Sequence, residues 1–249
     1  MSVGRLIDTG VRPARWNLAM TAALASAHRP DAREVTLRFQ RFPPSVLIGR
    51  HQRLSEAVDV ERCRRLGVEI ARRPTGGGAV YMAPGILAWD VVADRQRFGS
   101  RLSRAAAAIG GGVALGLSRL GAAAEFSPPG DIRCRGRKLC GTSGYVDGAA
   151  IVFQGTVLIE FDSQVMAEVL AASGMTAAAL AGALIGLAEA LGRAPAPGEV
   201  EAALADGVAA ALGVRFSDGA PRPEETALAT RLHASEYGTD AFVAGEEAA

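Results

Sequence analysis

DIRCRGRKLCGTSGYVDGAAIVFQGTVLIEFD, residues 131–162, decides the fold. It divides into three extended runs, DIRCR, KLCGTSGYV and AIVFQGTVLIEF, separated by a turn at Gly136 and a second at Asp147-Gly148. Runs rich in β-branched and apolar residues, joined by Gly-containing turns, read as a hairpin or meander of antiparallel strands. Upstream, VTLRFQRF from Val35 alternates like a strand, and PPSVLIGRHQ from Pro43 is a short apolar strand ending in a polar turn. VEIARR from Val68 runs into a glycine loop, and AVYM and ILAWDVVAD are strands joined by the Pro84-Gly85 turn. WNLAMTAALASA from Trp16, VDVERCRRLG from Val58 and residues 102–120 carry helical spacing. The chain beyond Asp162 is largely helical, with a loop at 193–198, an irregular stretch at 217–222 and a tail from Gly245 expected to fray. Strands in hairpin connection followed by helices predict an α+β fold: a mixed or antiparallel sheet flanked by helices, and not a doubly wound one. The expected organisation is one domain over 1–249, with 164–249 a mostly helical C-terminal part.

Composition excludes several classes. Hydrophobic residues make up 49% and charged residues 21%, an ordinary balance for a folded chain. A net charge of +1, with basic residues spread along the chain, offers no concentrated surplus for nucleic acid. The start has no apolar core of a signal peptide, and no run is long and uncharged enough for a membrane span, so a cytoplasmic location is expected. The three cysteines, Cys63, Cys134 and Cys140, are odd in number and lack metal-ligand spacing, which argues against a disulfide framework or a zinc site.

Of 27 Lys+Arg residues, a single one is lysine: Lys138, with Gly136, Gly141 and Gly144 close around it. A chain biased this strongly toward arginine retains lysine where a compact ammonium on a thin stem is needed and a wide planar guanidinium does not fit. A second unusual feature is RRPTGGGAVY, residues 72–81. Three consecutive glycines after a strand let backbone N–H groups approach an anion. The loop matches neither the GxxxxGK[ST] nor the GxGxxG pattern. By itself it suits a flexible turn about as well; pairing it with an isolated lysine is what points to a site.

Together these blocks resemble the lipoate and biotin protein ligase superfamily, specifically lipoate-protein ligase A and the related octanoyltransferases. WNLAM, VLIGRHQ, RRPTGGGAVY, GDIRCRGRKLCGTSG, FQGTVLIEFD and SEYGTDAF fall in the order of that family's motifs. The resemblance implies a biotin/lipoate protein ligase-like catalytic domain, without a separate accessory domain. It makes Lys138 the catalytic lysine, touching both acyl carboxylate and activating phosphate. It assigns Arg73, Thr75, Gly76, Gly77 and Gly78 to acyl chain and phosphate, with Gly141 and Gly155 as further binding positions. Asp131 is placed near the nucleotide and its magnesium, and Val80 and Leu87 beside the acyl tunnel. The implied activity attaches lipoate or octanoate to a lysine of a lipoyl carrier domain through an acyl-adenylate, using ATP and Mg. The carrier would be a 2-oxoacid dehydrogenase E2 or a glycine cleavage H-type protein, and a separate accessory protein could take part. No nucleic acid or membrane partner is implied.

Two alternatives stay open: ATP-independent transfer of octanoate from acyl carrier protein, which needs no cofactor, and a non-catalytic acyl-binding relative. Met82 and Gln154 stand where the family has histidine. No arginine occurs between Phe161 and Gly192, where the ligases carry a loop that closes over the adenylate. The transferases' nucleophile positions are not cysteine: GAAAEFSPPG before Asp131 has none, and Ser173 occupies the other. Cys140 is the remaining candidate nucleophile, since residues 138 and 140 share one face of a regular strand; a packing cysteine is the preferred reading.

Overall fold

In the computed structural model, residues 2–30, 33–170 and 174–245 are described. The position of Ser173 and the tail beyond Gly245 lie outside them. An eight-stranded sheet dominates, with strand order β11-β1-β2-β6-β10-β9-β8-β7. Its strands are β1 (Ser2–Val11), β2 (Val35–Arg41), β6 (Ile86–Asp94), β7 (Ala124–Ser127), β8 (Asp131–Cys134), β9 (Arg137–Asp147), β10 (Ala150–Leu158) and β11 (Val214–Gly219). The meander β8-β9-β10 and its neighbours β6 and β7 pair antiparallel, while β1 lies parallel to both β2 and β11. A second, three-stranded sheet joins β3 (Ser45–Ile48), β4 (Glu69–Arg72) and β5 (Val80–Met82) in the order β4-β3-β5. The mixed α+β sheet expected from the sequence is therefore present.

Residues 217–219 correct one expectation: they are not irregular but close β11, which pairs with β1. Only Val214 of that strand is buried, so its edge position supplied little apolar alternation to read. The strands AVYM and ILAWDVVAD belong to different sheets, so the Pro84-Gly85 turn is a crossing between sheets.

The helices are α1 (Ala14–Ser26), α2 (Leu54–Ala57), α3 (Val60–Arg65), α4 (Leu102–Arg119), α5 (Ser163–Val169), α6 (Ala177–Ala183), α7 (Leu187–Leu191), α8 (Pro197–Leu212), α9 (Pro223–Leu232) and α10 (Asp240–Ala244). Helices α4 and α8 cover one face of the large sheet, burying Ile109, Val113, Leu117, Leu204 and Val208 against Leu37, Trp89, Val91 and Phe153. The other face carries α1 and α9, and the small sheet with its helices. Glu69 of β4 caps α1: its carboxylate accepts from the amides of Ala14 (2.7 Å) and Arg15 (3.2 Å), placing a negative charge at the helix N-terminus. No helix of the described residues is long and apolar enough to cross a membrane.

Strand alternation decides which residues reach the site. On β6, Leu87, Trp89 and Val91 face the α4/α8 core, whereas Ala88 and Asp90 face the opposite side. Leu87 is thus buried in the core and does not line a tunnel, contrary to the expectation; Ala88 takes that place.

Candidate active site

A cavity of about 650 Å³ opens on the second face of the large sheet, within the usual range for small-molecule sites. Gly76, Gly77, Gly78, Val80, Lys138, Gly141 and Gly155 all line it, so the glycine loop and the lysine hairpin meet as the sequence suggested. Its apolar walls include Leu18, Phe42 and Leu47, and Met166, Leu180 and Leu184 from the arginine-free segment after Phe161.

The loop is shaped from within by Arg73. Its guanidinium donates to the carbonyls of Leu47 (2.6 Å), Gly76 (2.8 Å) and Gly78 (2.7 Å) and to the Thr75 hydroxyl (3.1 Å). Burial lowers its pKa to about 10. Nε and one terminal nitrogen hold the loop and the other terminal nitrogen ties it to β3, so Arg73 sets loop shape while also lining the cavity. Thr75 is buried behind the wall, where Ser143 and Gln154 donate to its hydroxyl (3.0 and 3.4 Å), and it does not line the cavity. Gly77 sits at φ +92°, a conformation L side chains rarely adopt. Among the described residues, the amides of Gly76, Gly77 and Gly78 donate to no protein acceptor. Three consecutive cavity-lining residues with free N–H groups offer donors of the kind that suit phosphate oxygens.

Lys138 owes its position to a bulge. The turn at Arg135-Gly136 places Arg133 opposite Lys138, but further along Ile132 pairs with Cys140, leaving Leu139 as the extra residue. The bulge breaks the two-residue alternation, so Lys138 and Cys140 do not share a face. Lys138 lines the cavity with Gly141, while Leu139 and Cys140 are both fully buried in the core. The Ile185 amide donates to the Lys138 carbonyl (3.0 Å) and pins the bulge. The ammonium pairs with Asp131 at 2.9 Å, and the other Asp131 oxygen takes Arg133 at 2.8 Å.

Cys140 is a packing residue. It has no solvent exposure, and burial pushes its thiol up to about 12 despite opposing effects from Trp89 and Lys138. Cys63 and Cys134 are buried as well. Of the two positions where histidine is replaced, Met82 is buried in the core, while Gln154 lines the cavity.

Sequence reading missed a buried ion pair, Arg38–Asp90, at 2.7 Å with both side chains almost wholly inaccessible. Asp90 also accepts from Thr21 and Gln40, each at 2.9 Å, and Arg38 donates to Gln40. Asp90 and Gln40 line the cavity. The available signal was a charged residue in the middle of the apolar strand ILAWDVVAD. Arg133 was missed too, because its neighbours in sequence are themselves arginine-rich.

Comparison with known proteins agrees with this geometry. The chain is 30% identical to the protein named octanoyltransferase LipM from Symbiobacterium thermophilum, over 95% of this chain and 96% of that one. A crystal structure of lipoate-protein ligase A bound with ATP superposes with a TM-score of 0.89 at 25% identity, covering 98% of this chain and 99% of the other. A bi-partite lipoate protein ligase from Thermoplasma acidophilum shares the fold over the full length of both chains, with a TM-score of 0.92 at 24% identity. The model of the lipoyl protein ligase A/B catalytic domain matches residues 13–209, and the chain belongs to that family.

Proposed function

We propose that the chain activates lipoate or octanoate with ATP and transfers the acyl group to a lysine of a lipoyl carrier domain. The observation that carries this reading is that no cysteine of the chain is available at the cavity: all three are buried, and Cys140 beside the site is held as a thiol. A thioester relay needs an accessible thiolate. Activation at phosphorus needs none. The acid's carboxylate oxygen attacks the α-phosphorus and pyrophosphate leaves; the carrier's ε-amine then attacks the acyl carbon, AMP leaves, and the amine's proton passes to solvent. Both steps build negative charge where carboxyl and phosphate meet, and a fixed ammonium there stabilises both transition states. Lys138 supplies that charge, and the free amides of Gly76, Gly77 and Gly78 suit the phosphate oxygens.

Magnesium fits less well as a protein-held ion. Both oxygens of Asp131 already pair with cations, and the described residues include no group of three or more acidic, His or Cys side chains able to hold a metal.

A second reading, octanoyl transfer from acyl carrier protein, is favoured by the full-length similarity to a protein named octanoyltransferase. The chain would then pass the acyl group without a cysteine of its own. Intact-mass analysis of an apo lipoyl domain separates the two, in parallel arms with ATP plus lipoate or octanoate and with octanoyl-acyl carrier protein. Modification in the ATP arm alone is expected; modification in the carrier-protein arm alone overturns the ligase reading.

A further inference from the structure

Arg133 is a second cation of the same site. Strands β8 and β9 turn through Arg135 and Gly136, both at positive φ (52° and 76°), the two-residue hairpin whose twist matches paired strands. This turn sets Arg133 directly opposite Lys138. Like charges directly opposite on a sheet repel. Here a single carboxylate holds both: Asp131 Oδ1 lies 2.9 Å from Lys138 Nζ and Oδ2 lies 2.8 Å from Arg133 Nη2. The trio is left with one positive charge in excess. Both cations line the cavity while Asp131 does not, so the excess faces the space a ligand would fill. Neither cation is sealed in, since their side chains are 40% and 39% exposed. Arg133 Nη1 donates to the Gly136 carbonyl (3.0 Å), which orients the guanidinium plane. Gly76, Gly77 and Gly78, whose amides are unpartnered, line the same cavity.

We propose that Arg133, with Lys138, binds a phosphate group of the acyl donor, and that Asp131 holds the two cations in place until that anion arrives. The proposal deepens the reading above and rests on it in placing the activated end of the acyl chain at Lys138. An arginine fork matches two phosphate oxygens where an ammonium offers one point charge. The phosphate has two sources, the nucleotide or the phosphopantetheine arm of an acyl carrier protein, and the cation pair recognises the chemistry common to both.

The test is calorimetric binding to the full chain and to Arg133→Gln, with two matched pairs of probes: ATP against adenosine, and 4′-phosphopantetheine against pantetheine. Octanoate is titrated separately. Losing one charge-assisted contact is expected to weaken the phosphate-bearing member of one pair by about tenfold and leave its phosphate-free partner unchanged. The affected pair names the source, and Arg133→Lys is expected to recover part of the loss. If Arg133 only braced Asp131, Arg133→Gln would shift thermal stability or octanoate binding and leave both phosphate increments intact, which overturns the proposal. Octanoate binding without any phosphate increment in the wild type also overturns it. Failure of the wild type to bind octanoate removes the acyl reading itself.

Discussion

Lys138 lies across Gly141: the methyl carbon of an alanine at 141 would stand 2.8 Å from Lys138 Cε and 2.9 Å from its Nζ. The glycine is therefore part of the lysine's seat. A bulge at Leu139 brings residues 138 and 141 to the same side of the strand, and the missing side chain at 141 leaves the stem room to reach Asp131. This relationship also answers why lysine persists in an arginine-rich chain, because the space beside Gly141 is already filled by a stem four methylenes long.

Gly141→Ala separates the site from the fold. The obstruction is the far end of a flexible side chain, so the lysine swings aside at little cost to stability. Acyl transfer is expected to fall by about tenfold to a hundredfold as the ammonium leaves its position, with a melting temperature close to wild type. Steady-state transfer to a lipoyl domain and a thermal melt check both; normal activity removes the argument that Gly141 seats the lysine.

Lys138→Arg keeps the charge and changes its shape. A planar guanidinium has no equivalent path over Gly141, so the loss of transition-state stabilisation is expected to reach about a hundredfold to a thousandfold in kcat. Single-turnover transfer is the measurement. Activity within a few-fold of wild type would show that charge alone suffices.

The extent to which this site was legible in the sequence follows from range. The glycine loop and the lysine hairpin are contiguous motifs that the sequence singles out, and the structure brings them to one cavity. Strand order around the meander was legible because each turn carries its own local signal. What escaped depended on register. Sequence pattern misplaces Leu87 by one position on β6, and it puts Cys140 on the lysine's face because a bulge leaves no mark in a two-residue alternation. The pair Arg38–Asp90 joins residues 52 positions apart, directly opposite on β2 and β6, and only the paired sheet brings them together. Strands β1 and β11 bury few of their residues, so their pairing is not written in apolar alternation.

Cys140→Ala tests the absence of a thiol relay. The side chain packs in the core beside Trp89, and its removal is expected to cost about 1 kcal/mol of stability while leaving transfer activity nearly unchanged. In the native protein the thiol should resist iodoacetamide near neutral pH, since both its burial and its raised pKa suppress the thiolate. Loss of transfer in a folded Cys140→Ala protein, or rapid native alkylation at Cys140 detected by peptide mass mapping, contradicts the argument.

Asp90→Asn should be the most destabilising of these changes. Burial penalises both charges, pushing the Asp90 carboxyl up and the Arg38 guanidinium down in pKa, and each relieves the other. Removing one partner leaves an uncompensated charge at a position with no solvent, which costs about 3–5 kcal/mol. Replacing both with apolar residues of similar volume, Arg38→Met with Asp90→Leu, removes the unpaired charge and is expected to recover most of that stability. Denaturant unfolding of the single and double variants measures the difference. A single variant that unfolds like wild type would mean that water reaches the pair. A double variant no more stable than Asp90→Asn would mean that the hydrogen bonds, to Thr21 of α1 and to Gln40 within the sheet, and not the charges, hold this region together.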